Sequence, residues 1–155
     1  MKKKGLYKRA TINNRRASFD YSFTYTITCG IVLHGSEVKV IKHMNGGNLT
    51  DTYCYFKDDE LYLKGMHIGS YNIGTTASHE EQRDRKLLLK RRELKKLQKD
   101  LVSGMTIIPC KLFENDRGLL KVEIALARGK KDYDKREDIK KKDIERDMKK
   151  ELNRI

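Results

Sequence analysis

The residues that most often do chemistry are present, but they are dispersed. His34, His43, His67 and His79 match no HExxH or other ligand spacing, and no GxSxG, P-loop or GxGxxG segment occurs. Asp58, Asp59 and Glu60 put three carboxylates side by side, which could hold a metal ion. They also fall between two strand-like segments, where aspartate is expected in a turn. Asp134, in "YDKR", could serve as a nuclease carboxylate, yet no second acid or histidine is placed around it. Cys29, Cys54 and Cys110 form no CxxC and lie in apolar or strand-like runs, so they read as buried thiols. No catalytic residue, metal or cofactor is expected, and binding is the better expectation. Arginines beside aromatic residues supply the binding chemistry. "NNRRASFDY" sets Asn14, Arg15 and Arg16 just before a strand that begins with Tyr21. Guanidinium forks suit phosphates and base edges; Tyr21 can either stack on an unpaired base or fill the core. "RDRK" at 83–86 and "KRRELKK" at 90–96 add two more basic stretches, each of which could equally be a solvated face.

The charge distribution sharpens this. The chain has 155 residues and a formal net charge of +13, which favours a polyanionic partner. Residues 1–16 contribute +7 and residues 81–99 contribute +6, while the strand-rich stretch 17–80 is at −3 and 100–128 is balanced. Residues 129–155 add +3 through eleven basic and eight acidic side chains. The excess therefore belongs to an N-terminal arm, a middle segment and a tail. No run of about 18 apolar residues could span a membrane, and no apolar segment follows the basic N-terminus as a secretory signal would require. A monomer confined to the cytoplasm is expected.

Periodicity supplies the scaffold. In "YSFTYTI", Tyr21, Phe23, Tyr25 and Ile27 share one face of a half-buried strand. Ser36 is a plausible N-cap for a short helix, "SEVKVIKHM". "TDTYCYF" and "LYLKGMHI", separated by "KDDE", predict a hairpin. A polar loop spans 69–82. Leu94, Leu97 and Leu101 recur on one face of an amphipathic helix whose other face is basic. "TIIPCKLF" and "LLKVEIALA" flank "ENDRG" as a second hairpin, with Pro109 marking an edge or a bulge. About six antiparallel strands and two helices favour a closed, OB-like barrel. The predicted organisation is a basic arm at 1–16, a barrel domain at 17–128 and a basic tail at 129–155. In the tail, Ile144, Met148, Leu152 and Ile155 make a narrow helical stripe, too thin to build a core. Such a segment is expected to be disordered when free and helical on a partner.

Five stretches carry a family resemblance in order: "NNRRASFDY", "GIVLHGSEVKVIK", "GGNLTDTY", "RKLLLKRREL" and "LARGKKDYDKRE". Together they resemble the SsrA-binding protein (small protein B, SmpB) family, the bacterial partner of transfer-messenger RNA. The resemblance implies an OB-fold barrel with flanking helices and no catalysis by the protein itself. It implies binding to the tRNA-like domain of transfer-messenger RNA, delivery with elongation factor Tu to ribosomes stalled without mRNA, and insertion of the tail into the decoding centre and vacant mRNA channel of the small subunit. Carried onto this chain, the implied RNA-binding residues are Asn14, Arg15, Arg16, Tyr21, Glu37, Lys39, Asn48, Arg85, Lys86 and Leu88. The implied tail residues are Gly129, Lys130, Lys131, Tyr133, Asp134, Lys135, Arg136, Ile144 and Met148, with "GKK" as the hinge, in which Gly129 turns the chain and Lys130 and Lys131 meet phosphate. Glu37 could accept from RNA or serve its own helix, and Leu88 could stack on a base or belong to the core. The chain departs from the family at Thr28, where many relatives carry an acidic residue. The implied alternative is a general ribosome- or RNA-associated OB-fold protein.

Overall fold

The alternation that begins at Tyr21 runs further than seven residues. In the computed structural model, which describes residues 8–71 and 79–154, it becomes an eleven-residue strand, β2 (Tyr21–Ile31). Its register on the strand opposite slips between Phe23 and Tyr25, so the single face expected for Tyr21, Phe23, Tyr25 and Ile27 is corrected: Tyr25 and Ile27 pack on the core, while Phe23 is exposed and Tyr21 packs elsewhere. The elements before it are β1 (Thr11–Asn13) and a single turn of helix, α1 (Ala17–Asp20). Those after it are α2 (Gly35–Lys39), β3 (Gly47–Asn48), β4 (Tyr53–Lys57), β5 (Glu60–Lys64), β6 (His67–Ile68) and β7 (Arg85–Leu88). The chain then forms α3 (Arg91–Asp100), β8 (Met105–Glu114), β9 (Leu120–Gly129) and α4 (Asp132–Leu152).

Six strands close into a ring. Its order is β8, β4, β5, β7, β2, β9 and back to β8, and every pairing is antiparallel. Closure removes the free edges that an open sheet of this size would expose. Inward residues recur at every second position along the strands, apart from the bulge in β8: Leu61 and Leu63, Ile107 and Leu112, Val122, Ile124 and Leu126 are at most 2% exposed. Leu97 of α3 is fully buried against this core, with Leu94 and Leu101 packed beside it, so the leucine stripe plugs the barrel. Of the basic arm, residues 8–16 are described, and they are not free of the barrel. Ile12 is buried and β1 adds to β8 with Thr11 opposite Phe113. The sheet thus starts inside the segment expected to be a pure arm, because one apolar residue there has a place in the core. The predicted residues 1–7, part of the 69–82 loop, and Ile155 lie outside the described residues.

Local chemistry explains the connections. Lys57 pairs with Glu60, leaving Asp58 and Asp59 as a two-residue turn with φ of +50° and +60°. Both central residues are left-handed, the geometry that matches strand twist; the acidic triplet is a turn. The register of β8 on β9 slips between Pro109 and Lys111, so Pro109 does mark a bulge. The helix "SEVKVIKHM" begins at Gly35 with His34 as N-cap, so Ser36 sits within it and does not cap it. Its second half, Val40–Met44, widens into a π-turn and ends on left-handed Asn45, a residue that tolerates that conformation.

A second, smaller cluster lies on the outside of the barrel. Ala17 of α1 packs on Ile108, Ala125 and Ala127, with Tyr21 and Cys110 around them. The two alanines on β9 carry only a methyl group, which lets α1 approach the sheet closely. The tail is helical over 21 residues, and none of them is buried.

Candidate nucleic-acid interface

The arginine–tyrosine motif is built on the β8 bulge. Asn14 donates its side-chain amide to the Pro109 carbonyl at 2.9 Å, and its backbone N–H to Cys110 at 2.8 Å. That anchors the arm so that Arg15 and Arg16 stand in solvent. Asn14, Arg16, Asp20, Tyr21, Tyr53 and Ile108 line a cleft of about 240 Å³. Tyr21 is half-buried: one side leans on the alanine cluster and the ring also lines the cleft.

The base of the tail stands against the same motif. Lys130 donates its backbone N–H to the Asp20 carbonyl at 2.8 Å and its ammonium to the Ser18 carbonyl at 3.0 Å. The same ammonium contacts the Asp138 carboxylate, and this hydrogen bond holds Asp138 below its ordinary value. Lys135 lies 3.5 Å from Asp20, and Arg16 lies 3.7 Å from it on the other side. Two motifs more than a hundred residues apart thus share one carboxylate. Lys130 and Lys131 link β9 to α4. Gly129 is the last residue of β9, paired with Tyr21, and a side chain built there would meet nothing within 4 Å. The hinge assigned to Gly129 is therefore corrected: extended backbone places no demand for glycine. Beyond Gly129, Lys131 and Arg136 are exposed, Asp134 is half-buried, and Tyr133, Ile144 and Met148 are 60%, 54% and 58% exposed.

Glu37 and Arg85 are also corrected. Both are completely buried, so neither side chain faces a ligand. Glu37 accepts from Arg83 at 2.6 and 3.1 Å and from Arg85 at 3.2 Å. Arg85 further donates to the carbonyls of Met66 at 2.7 Å, Arg83 at 3.1 Å and Glu81 at 3.2 Å. Burial pushes the Glu37 carboxyl up, but the Arg83 hydrogen bonds and the Arg85 charge outweigh it and hold it below its ordinary value. Burial is also the largest influence on Arg85, and it lowers the guanidinium despite the facing carboxylate. The pair staples α2 to β7 and to the segment entering β7. Strand alternation held the missed signal: if Leu87 points inward, so does Arg85.

The other expected contacts are at the surface but spread out. Lys39 is exposed, its ammonium 5.3 Å from the Tyr71 ring centre. Asn48 is exposed on β3, its side chain accepting from the Thr50 N–H at 2.8 Å. Lys86 is ion-paired with Glu60, which raises its pKa. Leu88 is 52% exposed and lines an apolar groove of about 390 Å³ with Gly30, Leu33, Leu119 and two lysines, Lys42 and Lys121. It is a surface residue rather than core. Thr28, where an acid is common in the family, lies exposed opposite Glu123 of β9. Among the described residues, no three His, Cys, Asp or Glu side chains could hold a metal ion together, and no helix is long and apolar enough to cross a membrane.

Comparison with known proteins agrees with this geometry. The SmpB protein family model matches residues 11–154. The SsrA-binding protein of Phocaeicola vulgatus is 51% identical over 138 residues, covering 88% of this chain and 91% of that one. That of Cytophaga hutchinsonii is 48% identical over 149 residues, covering 96% and 97%. A solved chain described under "tmRNA-SmpB: a journey to the center of the bacterial ribosome" superposes with a TM-score of 0.66 at 40% identity, covering 79% of this chain and 86% of that one. With the barrel, the anchored arginine arm and the exposed tail helix all in place, the chain belongs to the SmpB family of SsrA-binding proteins.

Proposed function

We propose that the chain binds the tRNA-like domain of transfer-messenger RNA and delivers it to stalled ribosomes for trans-translation. The observation that carries this reading is the convergence at Asp20, where the arginine arm and the base of the tail share one surface. An RNA bound at the Asn14–Tyr21 cleft lies beside the origin of α4, so the RNA and the tail enter a ribosome together. Arg15, Arg16, Lys39, Asn48 and Leu88 make surface contacts; Lys86 does so by leaving Glu60 for a phosphate. Glu37 and Arg85 position the strand that carries Lys86 and Leu88.

The tail has a separate task. A helix with no buried residue gains nothing from the barrel beyond its first turns. The eleven basic and eight acidic side chains of residues 129–155 allow approach to rRNA phosphates without collapse onto them. A vacant mRNA channel admits it, and mRNA excludes it by competition. The tail orders inside the channel from a disordered free state, with Ile144 and Met148 providing the apolar contacts there. The protein acts without catalysis, as a cytoplasmic monomer, and meets elongation factor Tu through the RNA.

The test is a titration at fixed salt of transfer-messenger RNA against an ordinary tRNA, with the full chain and with a chain ending at Lys131. Selective binding by both, with tagging lost only in the shorter chain, supports the division of labour. Equal affinity for the two RNAs would identify a general basic RNA binder, whose binding falls steeply with salt. Selectivity lost on truncation would move recognition into the tail.

A further inference from the structure

The outward face of β4 and β5 is aromatic and charged, with three lysines and two carboxylates, Glu60 paired with Lys86 and Asp84 hydrogen-bonded to Tyr55. Alternation turns Cys54, Leu61 and Leu63 into the core and Tyr53, Tyr55, Tyr62 and Lys64 out of it. Tyr55 is the direct cross-strand partner of Tyr62, their ring centres 5.9 Å apart and 27° from parallel. Tyr53 follows on the same face at 6.5 Å and is 44% exposed. The Tyr55 hydroxyl donates to Asp84, which fixes the ring by its edge. Lys64 lies 5.9 Å from the Tyr55 ring centre, Lys57 is exposed at the end of β4, and Lys86 stands next to Tyr62 on the neighbouring strand.

We infer that Tyr53, Tyr55 and Tyr62, with Lys57, Lys64 and Lys86 around them, form a stacking platform for unpaired nucleotides of the same RNA held in the Asn14–Tyr21 cleft. Three features of the structure select this occupant. Every base has a π-face, and aromatic side chains on a strand hold successive bases without reading their sequence. The lysines at the rim match phosphates, where a peptide would need fewer cations and deeper apolar pockets. Tyr53 lines the cleft and also begins the aromatic row, so an RNA in the cleft continues onto the platform. Because the rings are already paired and one is held by Asp84, little side-chain entropy is lost when a base stacks on them. The choice of RNA rests on the function proposed above; the stacking chemistry does not.

The experiment uses the full chain, Y55L/Y62L and Y55F/Y62F, each titrated at one salt concentration with an unstructured RNA hexamer and with the tRNA-like domain. The leucines keep the outer face apolar and the phenylalanines keep the rings. Y55L/Y62L is expected to weaken hexamer binding by about tenfold or more, with Y55F/Y62F equal to the unaltered protein. Unchanged binding by the leucine pair, or equal loss in the phenylalanine pair, overturns the platform. If the leucine pair does not fold, ultraviolet crosslinking of the hexamer to the unaltered chain decides: adducts on Tyr53, Tyr55 or Tyr62 support the platform, and adducts confined to other residues overturn it. If the tRNA-like domain binds no better than an ordinary tRNA, the functional reading fails, while the hexamer results still decide the stacking site.

Discussion

Glu37→Gln removes one charge and almost no volume, which isolates the electrostatics of the buried staple. In the unaltered chain Arg85 is wholly buried and Glu37 is its only carboxylate partner in hydrogen-bond contact among the described residues. Removing one member of a buried ion pair typically costs about 3–5 kcal/mol, since the remaining charge is left uncompensated. Three carbonyls, of Met66, Arg83 and Glu81, still accept from Arg85. They place the expected loss at the lower end, about 3 kcal/mol. For a chain of this length that corresponds to a fall in melting temperature of about 6–12 °C. Urea denaturation followed by circular dichroism measures it directly. The sign of the pH dependence provides a second readout. Glu37 titrates lower in the folded chain than in the unfolded one, so its contribution is complete above the unfolded carboxylate pKa. It is lost as pH falls through the lowered folded pKa. That part of the acid limb should vanish in the glutamine variant. A double change, Glu37→Met with Arg85→Met, should recover most of the stability at neutral pH, because apolar residues of similar volume replace a buried pair with little or no net loss. A loss below about 1 kcal/mol for Glu37→Gln, or an acid limb identical to that of the unaltered chain, would refute the reasoning.

Further expectations follow from other positions. Asp58 and Asp59 both hold left-handed backbone, so D58N/D59G should raise the urea midpoint by an amount equivalent to about 1 kcal/mol. Gly65 has φ of +90° and a side chain there would meet the Asp51 carbonyl oxygen at 3.0 Å; Gly65→Ala should lower stability by about 1–3 kcal/mol in the same assay. Gly129→Ala, by contrast, should leave stability within about 0.5 kcal/mol and leave tagging intact, as measured by release of stalled ribosomes in a translation extract. Ending the chain at Lys131 should leave the melting temperature of the barrel nearly unchanged, since no residue of α4 is buried.

Much of the fold was legible because burial imposes its period on the sequence. The strand character of "YSFTYTI", the leucines at 94, 97 and 101 and the two hairpins each report a local environment, and local environments are what side-chain patterns encode; the bulge between Phe23 and Tyr25, which splits the expected single face, left no such mark. Pro109 announced its bulge for the same reason, since a missing N–H has few places to go in a sheet. The exposed tail was legible too: a stripe of one apolar residue per turn cannot pay for its own burial. The shorter elements were not legible. β1, β3 and β6 span two or three residues, too few for a period to show.

The candidate site divides along the same line. By itself the sequence determined which residues can bind a polyanion: Arg15, Arg16, the basic middle segment and the tail carry the charge wherever the chain puts them. Only the tertiary structure decided which of these are available. It buried Arg85 against Glu37, where a charged side chain in a basic stretch looked solvent-facing. It kept Gly129 in β9 and left Lys130 and Lys131 to link that strand to α4. It joined the "NNRRASFDY" and "GKKDYDKRED" motifs at Asp20, and it laid Tyr55 over Tyr62 from strands that only the hairpin register aligns. The physical reason is that charge and hydrophobicity are properties of single residues, while burial, pairing and shared partners belong to pairs of residues that the closed barrel brings together.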